Sequence, residues 1–413
     1  MRERQHPFHA EAPLATDSTA IGEYALTYFK DILTSRRQPD ISLQQLQGEQ
    51  DLRQHTHTRL GQEAADALEQ PFTAEELQQV VKCMARGKRS GSDGLPVEFY
   101  EATWEHIGAD LLKLYNRVSD GDILTEEMKL DIITLIYKKD DKSNIRNWRP
   151  ISRLNVSYKI LAKALSRRLA PHLPRLVHKD QGAFIQGRSI AENILMAVRA
   201  LEVIPREKRQ VIAAMLDLEK AYDLMEILLN AFWASPRIQG LALGESDTLL
   251  TEPIADDLLL VMEVTQESMG EAKTLLDTYC TVSEAQVNWN KSVYFLPKEY
   301  NLTGQDWGMK RIPPDISKRY LGVQVSLSNA KPRQQAILQA KVQVSLKRCR
   351  IAACTSLLGR ALLINAVVFA QVWFIADVRL LSKEVLKPLT AEAARYLWKP
   401  TSQEGQGYIT KCS

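Results

Sequence analysis

The strongest constraint on this chain is VIAAMLDL (Val211–Leu218), a nearly continuous apolar run that holds an acid, Asp217, close to its end. An apolar run of this length without polar alternation suits a strand covered on both faces. An ionised carboxylate in such a place is costly unless it is paired with a cation or held at an exposed turn. A second apolar segment, IADDLLLV (Ile254–Val261), contains two adjacent acids, Asp256 and Asp257. Neighbouring carboxylates repel, and a divalent cation relieves both the repulsion and the burial cost. Three acids on two neighbouring strands form the oxygen set needed to hold two Mg²⁺ ions about 4 Å apart for phosphoryl transfer. Taken alone, the Asp256-Asp257 dipeptide reads more simply as an ordinary hairpin turn.

Composition narrows the remaining readings. At roughly 150 residues per domain, a chain of this length makes two or three; 413 residues also suffice for a proper core. Lys and Arg number 53 against 50 Asp and Glu, a net charge of +3. So even a balance means that any nucleic-acid footprint must be local. The five cysteines include no C-x-x-C, and all seven histidines lie at or before His178, which leaves no zinc cluster to draw. The N-terminus, MRERQHPFHA, has no apolar signal region, and the apolar stretch from Ile364 to Ala376 is interrupted by Asn365 and Gln371. Secreted and membrane readings are therefore set aside, leaving a nuclear or cytoplasmic location undecided.

Residues 1 to about 70 are polar and Gln- and His-rich, with one helix expected around Ile21–Leu33. Thr73 and Glu76 have capping-box spacing, and Leu77, Val80, Val81 and Met84 follow at helical intervals up to a stop at Gly87. After the loop Ser90–Gly94, a helical stretch is expected from about Phe99 to Val118, then a strand at Ile132–Tyr137 and a turn at Lys138–Asp141. Tyr158–Leu169 reads as an amphipathic helix. Ile160, Leu161, Ala164, Leu165 and Leu169 form its apolar side, and Lys159, Lys163 and Arg167 form a basic stripe. That stripe matches a row of phosphates; its plainer reading is a solvated face. From Gly359 onward the pattern is helical.

The surrounding motifs decide between these readings. GKRSGSDGLPVEFY (Gly87–Tyr100), the segment Ile132–Leu169 centred on NWRPIS (Asn147–Ser152), QGAFIQGRSIAENI (Gln181–Ile194), LDLEKAYD (Leu216–Asp223), IADD (Ile254–Asp257), VNWNKS (Val287–Ser292) and RYLGVQV (Arg319–Val325) occur in order. Together they resemble the reverse transcriptases of non-LTR, LINE-type retrotransposons, over about 300 residues. No single motif is decisive, whereas seven in sequence are strong. The Leu358–Trp398 stretch is similar to the family's helical continuation into its thumb.

The resemblance implies an α+β, right-hand polymerase fold. Residues 1–70 would be a polar extension, 71–210 a fingers-like region, 211–330 a palm with an antiparallel sheet and the catalytic acids, and 331–413 a truncated helical thumb. It further implies that Asp217, Asp256 and Asp257 hold two Mg²⁺, with Mn²⁺ as an alternative. Lys291 would neutralise or protonate the leaving pyrophosphate, against the plain reading of an exposed strand-end lysine. Tyr222 would pack under the incoming sugar and exclude a ribose 2′-hydroxyl, or else simply pack in the core. Arg149 and Lys138 would lie near template or triphosphate, or else be surface charges. Lys159, Lys163 and Arg167 would contact nucleic acid. The implied partners are an RNA template, a DNA primer and deoxynucleoside triphosphates, with no membrane and with an endonuclease supplied by another chain.

The sequence also departs from the family. Only 38 residues separate Asp217 from Asp256, and no Arg-Gln-Gly occurs among them. In the family that motif lies on a helix supporting the templating base and the nucleotide. The Trp that usually follows the segment matching LDLEKAYD in the family is absent as well. The pattern lapses near Met225 and resumes near Asn230, as an internal deletion would leave it. A polymerase lineage, impaired in this chain, is the first expectation. The alternative is an inactive relic that only binds RNA or RNA–DNA, and the third reading is a structural product without function.

Overall fold

The computed structural model describes residues 5–9, 11–34, 52–138, 140–219, 225–244, 247–254, 257–283, 285–302, 306–351 and 356–398. Tyr222, Asp256 and Lys139 lie outside the described residues. The chain divides into two compact units at Leu176, with the short segment Leu43–His57 belonging to the second.

The first unit is mainly helical: α1 (Ser18–Leu33), α2 (Gln62–Glu69), α3 (Ala74–Lys82), α4 (Val97–Ala102), α5 (Trp104–Ser119), α6 (Glu126–Lys129), α7 (Val156–Leu169) and α8 (Leu173–Leu176). Two strands, β1 (Asp131–Tyr137) and β2 (Trp148–Leu154), pair antiparallel before α7. Leu77, Val80 and Val81 of α3, Tyr115 of α5 and Ile160, Leu161 and Ala164 of α7 share its core. The expected capping of α3 is half present. Thr73 accepts from the Glu76 amide at 3.2 Å, while the Glu76 carboxylate bonds Arg168 instead. The helix ends at Lys82 rather than running on to Gly87, and the expected Phe99–Val118 helix is broken at Thr103 into α4 and α5. Gly91 approaches Asn155 so closely that a Cβ would lie 2.1 Å from its Oδ1, so only glycine serves there. On α7, Leu165 and Leu169 are exposed, not part of the apolar face, because the core ends at Ala164.

The second unit is built around a sheet. After α9 (Ile190–Glu207) come β3 (Val211–Glu219), α10 (Met225–Ala234), β4 (Leu241–Ala242), β5 (Thr248–Leu249), β6 (Thr251–Ile254), β7 (Asp257–Glu263) and α11 (Gln266–Ser283). Then follow β8 (Gln286–Val287), β9 (Val293–Phe295), β10 (Lys310–Arg311), β11 (Lys318–Tyr320) and β12 (Val323–Val325). The main sheet runs β10-β9-β3-β7-β6, with β8 also pairing β3, and is antiparallel except for β10 beside β9. As the apolar run predicts, β3 is covered on both faces. Ile212, Ala214, Leu216 and Leu218 pack with Leu228, Leu229 and Phe232 of α10 and Leu276 of α11. Val211 and Ala213 pack against Ala197, Leu201 and Ile204 of α9.

The remaining helices are α12 (Lys331–Ile351), α13 (Leu357–Leu363), a π-helical turn (Ile364–Phe369), α14 (Ala370–Val378) and α15 (Lys383–Trp398). They enclose a separate core that includes Leu338, Val342, Val368, Val372, Leu389 and Tyr396. The continuous helical run Leu357–Val378 is longer than the apolar stretch read from sequence, and by length and composition alone it could cross a membrane. Its Ile364, Val368, Val372, Ile375 and Val378 are buried in this core, while Leu358, Leu362 and Trp373 are exposed.

Candidate active site

The antiparallel register of β3 and β7 pairs Ala213 with Val261, Met215 with Leu259 and Asp217 with Asp257. Because strand side chains alternate, Asp217 and Asp257 point to the same face of the sheet. Directly opposed residues have their Cβ atoms about 4.5–5.5 Å apart. Both acids therefore reach one small volume at the strand ends. Ile254, the last residue of β6, pairs with Asp257, the first of β7.

A turn after β8 brings in the third functional group. Lys291 Nζ lies 3.5 Å from Asp217 Oδ2, with the lysine side chain 64% and the acid 36% exposed. At that exposure the pair contributes little to stability, but it sets a positive charge beside the acids. The turn is tied to β3 by backbone. Asn288 N donates to Asp217 O at 2.8 Å, and Asp217 N donates to the Ser292 hydroxyl at 3.1 Å. Ser292 is fully buried, and its hydroxyl donates in turn to Asn288 O at 2.9 Å. Asn288 and Ser292 were not singled out in the sequence, although the VNWNKS motif contains both.

Asp217, Asp257 and Lys291 line a cleft of about 490 Å³ together with Lys310, Lys318 and Arg319. Sequence reasoning missed Lys310 and Lys318. They arrive on β10 and β11, short strands without a strong pattern. Tyr320, which also lines the cleft, donates to Glu252 O at 3.3 Å. Burial, with the Glu252 and Asp257 carboxylates nearby, pushes its phenol well above the ordinary value.

Five other expected site residues belong to the first unit. Arg149 is exposed on β2 opposite Ile136, and Lys138 is exposed just past β1. On α7, Lys163 and Arg167 are exposed and Lys159 is half-buried. Tyr222 and Asp256 fall outside the described residues, among which no group of three or more metal-ligating side chains forms. The two acids that are described suit a hard divalent cation: they are oxygen donors, and they converge on one face of the sheet.

Residues 136–230 match the family model for reverse transcriptase (RNA-dependent DNA polymerase). This segment is similar to reverse transcriptases. It runs from β1 to the middle of α10, so it contains Asp217 and stops short of Asp257. The chain is also 26% identical over 430 residues to the Transposon TX1 uncharacterized 149 kDa protein of Xenopus laevis, a match covering 83% of this chain and 32% of the relative. The chain thus spans about a third of the length of that curated relative. The aligned length exceeds the whole of this chain although only 83% of the chain takes part, so the relative carries residues that have no counterpart here. The resemblance to the reverse transcriptases of non-LTR retrotransposons is borne out.

Proposed function

We propose that the chain carries the polymerase domain of a retrotransposon reverse transcriptase, with its second-unit sheet as the palm. The observation that carries this reading is the opposition of Asp217 and Asp257 at the ends of β3 and β7, with Lys291 at 3.5 Å. Asp217 and Asp257, joined by Asp256, hold two Mg²⁺ or Mn²⁺. When bound, these ions supply charge stabilisation for in-line transfer of a nucleotidyl group to a primer 3′-hydroxyl. Lys291 offers its ammonium to the leaving pyrophosphate. Tyr222 excludes the ribose 2′-hydroxyl, and Lys138 and Arg149 hold template or triphosphate. The first unit acts as fingers and α12–α15 as thumb. The substrates are an RNA template, a DNA primer and deoxynucleoside triphosphates, with an endonuclease supplied by another chain.

We further propose that synthesis by this chain is impaired. In-line transfer needs the reacting atoms held about 3–3.5 Å apart, and a misplacement of about 1 Å can cost roughly 10²-fold. Between β3 and β6 the described chain has only α10 and the two-residue strands β4 and β5. No Arg-Gln-Gly occurs in that stretch of sequence to support the nucleotide. That shortening, together with the exposed Lys163 and Arg167, favours a second reading in which the chain only binds RNA or RNA–DNA.

Primer extension on an RNA template with Mg²⁺ or Mn²⁺ tests both readings. The expected result is weak or no extension by this chain, recovery when the absent segment is restored from a homologous copy, and loss again with Asp257→Asn. Robust extension by the chain as it stands would overturn the impairment. A restored chain that binds nucleic acid yet never extends would favour the binding-only reading.

A further inference from the structure

The acids Asp256 and Asp257 follow β6, a four-residue strand at the edge of the sheet. Its one strand partner among the described residues is β7. So short a ladder on one side holds a strand end only loosely. A buried polar joint takes up the other role. Asp180 Oδ2 accepts from Thr251 Oγ1 at 2.6 Å and from Trp233 Nε1 at 2.8 Å. Trp233 Nε1 lies 3.0 Å from Thr251 Oγ1 as well. Thr251 is fully buried, and the Asp180 side chain is 10% exposed. Asn193, on α9, donates to both Asp180 O, at 2.8 Å, and Glu252 Oε2. The joint therefore clasps two consecutive β6 residues, Thr251 and Glu252, to α9 and to the end of α10.

The loop that presents Asp180 is itself locked. Arg188 donates to the carbonyls of Val177 at 2.9 Å, His178 at 2.5 Å and Gln181 at 2.9 Å. A Cβ on Gly182 would meet Asn193 Oδ1 at 1.7 Å, so the glycine allows the amide its place. One Asp180 oxygen accepts from both Thr251 and Trp233, which makes Asp180 the pivot of the joint. Groups behind a metal site orient its ligands, and losing one typically costs about 10- to 100-fold in metal affinity.

We propose that Asp180 is a positioning residue for the metal-binding acids: by drawing Thr251 and Trp233 together it fixes β6, whose last residue, Ile254, pairs with Asp257 opposite Asp217. This rests on the metal-site reading above.

The test is Mn²⁺ titration of the full chain followed by electron paramagnetic resonance, with near-ultraviolet circular dichroism on the same samples. Asp180→Ala is expected to weaken Mn²⁺ binding about tenfold in molecules that remain folded. Asp180→Asn, which keeps a carbonyl acceptor, should recover most of the loss. A purely structural role would lower the melting temperature and leave the affinity of folded molecules unchanged, which overturns the proposal. If Asp180→Ala does not fold, Trp233→Phe removes one donor and keeps the ring. Weaker Mn²⁺ binding then supports the proposal, and unchanged binding overturns it. Asp217→Asn separates the two layers. If it leaves Mn²⁺ binding intact, the metal-site reading fails and this proposal with it. If it abolishes binding while Asp180→Ala does not affect it, only the role of Asp180 falls.

Discussion

Asp217 on β3 and Asp257 on β7 are direct cross-strand partners, two like charges facing one another at the ends of the central strands. Such an arrangement works against the sheet that contains it. The ammonium of Lys291 offsets it only partly, since that side chain is 64% exposed and screened by water. The apolar registers upstream, Ala213 with Val261 and Met215 with Leu259, hold the strands in place and so force the acids together.

Removing one charge should therefore help the metal-free fold. Asp217→Asn is expected to stabilise the protein by up to about 1 kcal/mol in EDTA, the scale of a cross-strand pair. The same change should abolish the stabilisation that Mn²⁺ confers by binding the native state. Thermal melts with and without metal check both signs. A destabilised variant in EDTA would contradict the repulsion argument.

Glu252 gives a pH signature. Burial, reinforced by the nearby Asp180 carboxylate, pushes its carboxyl up to about 9 from an ordinary 4.5. The native state thus holds a proton that the unfolded chain releases across that window. The stability tied to neutral Glu252 is complete below about 4.5 and is lost as pH rises toward about 9. Urea midpoints measured from pH 5 to about 9 should fall for the parent and flatten for Glu252→Gln. A parallel decline in both would show that other groups set the trend.

In the first unit, Arg168 should matter for stability. It bonds both oxygens of Glu76, at 2.8 and 2.7 Å, reaches the carbonyls of Leu68, Gln70 and Pro71, and stacks 4.2 Å from the Phe72 ring. Arg168→Ala leaves a part-buried carboxylate unpaired and should cost about 3 kcal/mol. Arg168→Lys should recover little, because an ammonium cannot reproduce the planar fork. Chemical unfolding of the three proteins decides this.

The neighbouring stripe should behave differently. Replacing Lys159, Lys163 and Arg167 with Glu should weaken RNA and DNA binding alike and leave stability nearly unchanged. If each cation meets one phosphate, the parent's affinity has a log–log salt slope steeper than the variant's by about 2 to 3. Equal slopes would mark the stripe as a solvated face.

Local structure was largely legible in the residues. The Val211–Leu218 strand could be read because a strand buried on both faces must be apolar throughout, and Thr73 could be read as a cap because capping is settled within one turn. The limits were also physical. Glu76 was expected to close its own helix, yet its carboxylate went to Arg168, a better partner 92 residues away. Leu165 and Leu169 fit the apolar period of α7, but the packing partners end at Ala164.

By itself the sequence determined the kinship, the strand that carries Asp217 and the acids at the next apolar segment. Those follow from residue type and short-range order. Only the tertiary structure decided that Asp217 faces Asp257, that Lys291 reaches Asp217, that Lys310 and Lys318 line the same cleft, and that Asp180 clasps Thr251. Each of these depends on strand register and on which faces the helices cover. Register is a property of the whole packed sheet, because a slip of one residue turns every side chain to the opposite face.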